Sequence, residues 1–258
     1  MQHHVSKLRL STAQRAIRTS AYVIITVLLL VRFGAMSQRL SADESLRRFS
    51  ATDPEHAAAT IHLQHGFRAE LVAAEPLITD PIAIQYDENG LAYVVEMNDY
   101  PYSDKAFDKA WQEQQSKPFG RIRVLEDTDH DGIYDRATVF AENLSWPSGL
   151  ALWKGGVYVA ATPDILYLKD TDGDHKADEQ RKVFTGFRKY NVQAVMNNFQ
   201  WNLDHQIYAA GSSNGGSAAN VGSIDTITMG RSDFRFDPRT EELELVSGGA
   251  RFGHTIDD

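Results

Sequence analysis

From Gly66 onward, short hydrophobic runs alternate with turn-forming residues. The runs are rich in Val, Ile, Leu, Tyr and Phe, which is typical of β-strands. Short strands at regular spacing predict an all-β fold, which can be a sandwich, a barrel or a propeller. The predicted strands are 67–73, 82–86, 91–97, 121–126, 137–141, 150–153, 157–161, 165–169, 182–185, 198–202, 206–210, 233–236 and 243–246.

An internal repeat distinguishes between these architectures. The segment 123–135 recurs at 167–178, so that Asp127 and Asp170 stand 43 residues apart. A repeat of about 40–50 residues that contains four strands has the size of a propeller blade. We therefore predict a β-propeller of four-stranded blades, with a sandwich of short strands as the alternative. The predicted blades are 82–140, 149–184 and 198–246, and the start of a fourth blade is 251–258.

The predicted blades carry two long insertions, at 98–120 and 211–231. Both follow the second strand of a blade, so they share one face with the crossovers between blades. Long loops on one face of a rigid scaffold are the usual place for a functional site. Because three blades and a single further strand cannot close a ring, the chain is predicted to be a fragment of a longer propeller, or to bind something that covers its last blade.

The repeated loops on the opposite face carry aspartates at the spacing of a calcium-binding loop. Each loop has oxygen ligands at positions 1, 3, 5 and 9, but position 12 is Thr138 or Arg181 instead of the usual glutamate. Aspartates and glycines are also favoured in ordinary exposed turns, which is the alternative explanation. The predicted calcium ligands are Asp127, Asp129, Asp131 and Asp135 in the first loop, and Asp170, Asp172, Asp174 and Asp178 in the second.

The N-terminal segment has the pattern of an export signal. Residues 1–37 contain basic but no acidic side chains, a short apolar run from Ala21 to Val31, and small residues at 35–37. We predict a signal peptide or an N-terminal membrane anchor, and therefore a protein that is exported to the periplasm or associated with the membrane. Residues 38–65 are predicted to be a leader with a short helix from Ser41 that ends at 52–54, and residues 66–258 form the predicted partial propeller.

Charge and composition exclude several functions. The chain has 258 residues, a formal net charge of −9 and no cysteine. The absence of cysteine excludes disulfides, thiolate catalysis and cysteine-ligated metals. The acidic balance argues against nucleic acid as a partner. Membrane contact is expected only through the N-terminal segment.

Two titratable side chains on the predicted long-loop face are candidates for proton transfer. Glu96 ends the second strand of the first blade, and the alternative is that it is a solvated strand-end charge. His254 begins the predicted fourth blade near the central channel, and the alternative is a structural histidine.

Several segments together resemble the membrane-bound dehydrogenase proteins, a family related to the soluble quinoprotein glucose and sorbosone dehydrogenases. The resemblance covers about residues 60–258. The matching segments are 67–81 (FRAELVAAEPLITDP), 121–129 (RIRVLEDTD), 146–149 (WPSG), 163–174 (PDILYLKDTDGD), 212–216 (SSNGG) and 233–240 (DFRFDPRT).

The resemblance implies a six-bladed propeller that oxidises a sugar or alcohol with pyrroloquinoline quinone, assisted by calcium. It also implies a cytochrome c electron acceptor. The histidine that serves as base in the related enzymes corresponds to Ala194 here, with Gln193 and Asn191 nearby, so the best-known base is absent. Gln193 then joins Glu96 and His254 as a candidate catalytic residue. The candidate cofactor-binding residues are Asn191, Ser212, Ser213 and Asn214.

Two functional hypotheses follow. The first is an exported quinoprotein-like dehydrogenase of sugars or alcohols, which the series of scaffold motifs favours. The second is a non-catalytic exported propeller that binds carbohydrate or protein through its long-loop face, which the missing histidine favours.

Overall fold

The structure is a computed structural model that describes residues 50–100 and 117–255. The predicted signal, the predicted helix from Ser41 and most of the first insertion lie outside the described residues. Within the described part, the leader contains one short helix, α1 (Pro54–Ala57), followed by a 3₁₀ turn at Ala58–Thr60. This helix begins at Pro54, because the fixed φ and missing N–H of proline suit the first helical position. The predicted end of the earlier helix at 52–54 stays a prediction.

The described residues from 81 onward form fourteen β-strands. They are β1 (Pro81–Tyr86), β2 (Ala92–Glu96), β3 (Gly120–Glu126), β4 (Arg136–Leu144), β5 (Pro147–Trp153), β6 (Gly156–Ala161), β7 (Asp164–Lys169), β8 (Glu179–Phe187), β9 (Asn197–Trp201), β10 (Ile207–Ala210), β11 (Gly216–Asn220), β12 (Ile227–Thr228), β13 (Asp233–Phe236) and β14 (Leu243–Val246).

These strands form three antiparallel sheets, so the predicted all-β class is confirmed. The first sheet has the order β1-β2-β3-β4. The second has β5-β6-β7-β8 extended by β11 and β12, and the third has β9-β10-β13-β14. Four-stranded units therefore occur at the three places where the repeat predicted them.

The structure corrects two details of the strand prediction. Residues 67–73 form no strand, and most of them are exposed. Among the described residues, a single backbone hydrogen bond, from the Tyr134 N–H to the Val72 carbonyl, joins the segment to the β3–β4 turn. The second insertion, predicted as a loop, contains the β11–β12 hairpin, which pairs with β8. The sequence Gly-Ser-Ala-Ala-Asn of β11 has low β-propensity, so its pairing with β8 determines its conformation.

The second sheet lies between the other two, and its strand β6 is buried on both faces. Val157 and Val159 of β6 pack with the first sheet, against residues such as Ile122 and Phe140. Successive side chains of a strand point to opposite faces. The alternate residue Tyr158 accordingly packs with the third sheet. This double burial explains why β6 is hydrophobic along its whole length.

Candidate functional site

A cavity of about 740 Å³ lies where the first strands of the three sheets approach one another. Residues of β1, β5 and β9 line its wall, and residues from the β8–β9 crossover and the segment after β14 complete it. The polar side chains in this wall are amides and hydroxyls: Gln85, Tyr100, Ser148, Gln193, Asn197, Asn198 and Gln200. None of the described lining residues is an acid, a lysine, an arginine or a histidine.

Three of the predicted site residues come together at the β8–β9 crossover, to which Asn191 and Gln193 belong and which Asn214 contacts from between β10 and β11. The Asn214 side chain accepts the Asn191 backbone N–H at 3.2 Å and donates to the Asn191 carbonyl at 2.8 Å. The Asn191 side chain accepts the Gln193 backbone N–H at 2.9 Å. Gln193 lines the cavity and donates through Nε2 to the Tyr100 hydroxyl at 2.8 Å. The amides of Asn191 and Asn214 therefore hold the loop that presents Gln193.

Ser212 and Ser213, the remaining predicted cofactor-binding residues, do not line the cavity. Ser212 is buried with φ of 56°, and its hydroxyl has no hydrogen-bond partner among the described residues. Ser213 is exposed. Their role as cofactor ligands stays a prediction.

His254 lies beside the cavity and is held by Asn198. The Asn198 Nδ2 group donates to the His254 carbonyl at 3.0 Å and lies 3.2 Å from His254 Nδ1. The carbonyl can only accept, so the amide nitrogen must face His254, and Nδ1 must then be the acceptor in the neutral ring. The hydrogen is therefore on Nε2, which is buried and has no hydrogen-bond partner in the described part of the chain. The neutral ring offers a donor at Nε2, which disfavours the predicted role as general base.

Glu96 is fully buried, so the alternative of a solvated strand-end charge is wrong. Its carboxylate forms ion pairs with Arg121 and Arg123 and accepts the Thr79 backbone N–H at 2.7 Å. Glu96 is not among the cavity-lining residues. A buried carboxylate that pairs with two guanidinium groups and a backbone N–H joins neighbouring segments, so its geometry favours a structural role.

In the two aspartate loops, the structure brings together three carboxylates each. The oxygens of Asp127, Asp129 and Asp131 lie within 4.8 Å of one another, and so do those of the second triad, Asp170, Asp172 and Asp174. Backbone N–H groups, above all that of Gly132, lower the pKa of Asp127. The pKa of Asp170 is also lowered, because backbone N–H groups outweigh the effect of its burial. The first aspartate of each loop therefore favours its ionised form.

The fourth predicted ligand of each loop lies outside its triad. Asp135 accepts the Thr128 hydroxyl at 2.6 Å, and Asp178 accepts the Thr171 hydroxyl at 2.7 Å. These two aspartates therefore brace the ends of their loops.

Sequence reasoning missed the asparagines at the start of β9. Asn197 accepts the Gly253 backbone N–H at 2.8 Å and donates to the Arg251 carbonyl at 2.9 Å. Asn198 has φ of 55°. Two adjacent asparagines where a strand begins are a weak local signal, because this residue tolerates positive φ and bonds to the backbone. They attach the segment 251–254 to the cavity wall.

No helix in the described part of the chain is long and apolar enough to cross a membrane. A comparison with curated proteins gave no match. The sequence profile of a domain of unknown function, DUF7133, matches residues 53–258, which is the whole compact unit that contains the three sheets and the cavity. The chain therefore belongs to the DUF7133 family.

Proposed function

We propose that the three sheets are neighbouring blades of a β-propeller and that the cavity between their first strands binds a neutral polyhydroxylated small molecule, such as a sugar or a sugar alcohol. Two of the sheets have four antiparallel strands, and the second contains a four-stranded antiparallel unit that β11 and β12 extend. The first strand of each blade contributes to the same cavity, as the inner strands of a propeller do around its channel.

The uncharged polar lining of the cavity is the observation that supports the proposed class of ligand. Amides both donate and accept hydrogen bonds, as sugar hydroxyls do. The exposed apolar side chains of Ile84 and Phe252 in the lining suit the C–H faces of a sugar ring. An anionic ligand would require cationic groups, which the described lining does not contain.

Oxidation of the bound ligand by a quinone is the second candidate, and the resemblance to quinoprotein dehydrogenases supports it. The described cavity does not fit pyrroloquinoline quinone, because that cofactor is a tricarboxylate and no lining residue is cationic. We therefore derive no reaction step through this cofactor, and non-catalytic binding is the preferred function.

Calorimetric titration with a panel of neutral sugars and sugar alcohols tests the proposal. Gln85→Leu and Gln200→Leu each remove a lining amide, and we expect either change to weaken binding by about 1–3 kcal/mol. The matched control is Gln180→Leu, which replaces an exposed glutamine of β8 and should bind the ligand as the wild type does. Binding that neither lining variant weakens, or no binding to any member of the panel, would contradict the proposal. Dye reduction with added quinone and calcium tests the oxidation hypothesis separately.

We also propose that each aspartate triad holds a structural calcium ion. The convergence of three carboxylates within one tight turn supports this, because hard cations prefer several oxygen ligands. Calcium should raise the melting temperature of the wild type, and Asp129→Ala should reduce that increase. Asp225→Ala removes one exposed aspartate outside the loops and is the control. Identical melting curves with calcium and with a chelator would refute the proposal.

Export remains a proposal that rests on the N-terminal pattern of basic, apolar and small residues. Cell fractionation followed by N-terminal sequencing tests it. A start near Gln38 in the exported fraction would support cleavage of a signal peptide.

A further inference from the structure

The loops that follow β2, β4, β6 and β8 converge on the buried side chain of Trp146. Asp99 comes from the first of these loops, and its Oδ2 accepts the Trp146 backbone N–H at 2.9 Å. Ser145 precedes Trp146, and its hydroxyl donates to the Thr162 carbonyl at 2.7 Å. Lys189 comes from the fourth loop. Neither Asp99 nor Lys189 lines the cavity, so this cluster is a separate feature.

Lys189 is held in place by contacts on two sides. Its Nζ lies 4.6 Å from the centre of the Trp146 ring and donates to the Ser145 hydroxyl at 2.8 Å. Burial lowers the pKa of Lys189 by more than the nearby charge of Asp99 raises it. A positioned lysine with a larger share of neutral amine is the usual form of a nucleophilic lysine.

Asp99 provides a buried carboxyl group whose charge acts on this amine. Its side chain is almost completely buried, at 3% exposure, and Oδ1 has no hydrogen-bond partner among the residues that the structure describes. Burial raises the pKa of Asp99 although the Trp146 N–H lowers it. A buried polar atom without a partner is costly, and such atoms often mark a place where a ligand completes the hydrogen bonding.

We propose that Lys189 forms an imine with a small aldehyde or ketone, and that Asp99 transfers the protons of that reaction. The neutral amine of Lys189 attacks the carbonyl carbon, and a C–N bond forms while Asp99, in its protonated form, gives a proton to the carbonyl oxygen. The nitrogen then gives a proton to Asp99 and its lone pair expels the hydroxyl group. Asp99 returns the proton to that leaving group, which departs as water. The iminium nitrogen then gives its remaining proton to Asp99, so amine and carbonyl yield imine and water without any oxidant.

Reductive trapping of the full-length protein tests the proposal. Propionaldehyde with cyanoborohydride converts each imine into a stable alkylated lysine, which peptide mapping by mass spectrometry locates. We expect Lys189 to be labelled severalfold faster than Lys176 and Lys182, whose side chains are 63% and 59% exposed. Labelling of Lys189 at the same rate as these exposed lysines, or more slowly, would overturn the proposal.

A second variant separates the proton transfer from folding. Asp99→Asn keeps an oxygen for the Trp146 N–H but cannot carry the proton. Imine trapping at Lys189 should become slower by more than about tenfold, because a positioned acid or base contributes about 100-fold or more. Acetylation of Lys189 by acetic anhydride, which needs only the free amine, should not become slower. An equal loss in both reactions, or a loss in neither, would contradict the role of Asp99. Both results are independent of ligand binding in the cavity.

Discussion

The contact between Asn198 and His254 shows how one residue pair can make stability depend on pH. The Asn198 amide nitrogen donates to the His254 carbonyl at 3.0 Å and lies 3.2 Å from His254 Nδ1. Protonation of the imidazole would place an N–H group against another N–H group. Burial also lowers the pKa of His254, and the charge of Asp233 offsets this only in part. The folded state therefore prefers the neutral ring.

This preference predicts a loss of stability in acid. An unfolded histidine has a pKa of about 6.5, so below that pH the unfolded chain binds a proton more readily than the folded chain does. The stability that His254 contributes is complete above about pH 6.5 and is lost as the pH falls through the lowered folded pKa. Urea unfolding of the wild type and of His254→Gln, at pH 7.5 and pH 5, measures this effect. The wild type should be more stable than His254→Gln at pH 7.5, and this difference in the free energy of unfolding should become smaller at pH 5. The same difference at both pH values would contradict a role of His254 protonation.

Local motifs could be predicted from the sequence, and contacts between distant residues could not. The aspartate loops were found because their spacing is contained within nine residues. The cluster of Asp99, Ser145 and Lys189 was missed because each residue comes from a different loop, and only the packed fold brings the three together.

At the scale of elements, Glu96 links β2 to β3 and to the segment before β1. It stands opposite Arg121 in the strand register and accepts the Thr79 N–H. A second opposite-charge pair, Arg235 and Glu244, joins β13 to β14 in the same way. The two pairs differ mainly in burial, because Glu96 is fully buried whereas the Glu244 side chain is 58% exposed.

Neutralising the buried Glu96 should lower the free energy of unfolding far more than neutralising the exposed Glu244. Glu96→Gln leaves two guanidinium groups without their anion, and we expect a loss of about 3 kcal/mol in the free energy of unfolding. Glu244→Gln is the matched control and should cost less than about 1 kcal/mol. Urea denaturation measures both values, and equal losses would contradict a stabilising role for the Glu96 pair.

The hairpin that extends the second sheet depends on a glycine in β8. Gly186 has φ of 99°, and a Cβ there would collide with the Ser217 carbonyl of β11. Gly186→Ala should therefore displace β11, whereas Gly132→Ala, also at positive φ but with open space around it, suffers only backbone strain. Hydrogen exchange should show faster exchange of β11 amides in Gly186→Ala alone. Unchanged protection of β11 would contradict this role.

The strands that were predicted well carry their own hydrophobic pattern, and those that were not depend on neighbours. β6 and β13 are visible in the sequence as apolar or alternating runs. β11 has no such pattern and forms only because the edge of β8 is available to it. The segment 67–73 shows the opposite error, since its hydrophobic run finds no strand partner among the described residues.

At the scale of the whole molecule, the second sheet joins the cores on its two sides. One core combines it with the first sheet and the other with the third sheet. In the second core, Phe236 of β13 contacts Tyr158, Phe184 and Phe199, with ring centres 5.1–5.8 Å apart. Because Tyr158 belongs to a strand that also packs against the first sheet, damage to this core should affect all three sheets.

Phe236→Ala tests whether the three sheets unfold together. Removing a fully buried phenylalanine costs about 3–5 kcal/mol through lost packing and a residual cavity. Phe67→Ala is the control, because Phe67 is 71% exposed and lies outside the core clusters. In native-state hydrogen exchange, amides of β2 and β3 in the first sheet should lose protection by the same free energy as amides of β10 and β13. If the first sheet kept its full protection while the third lost it, the second sheet would not couple the two cores, and the sheets would unfold as separate units.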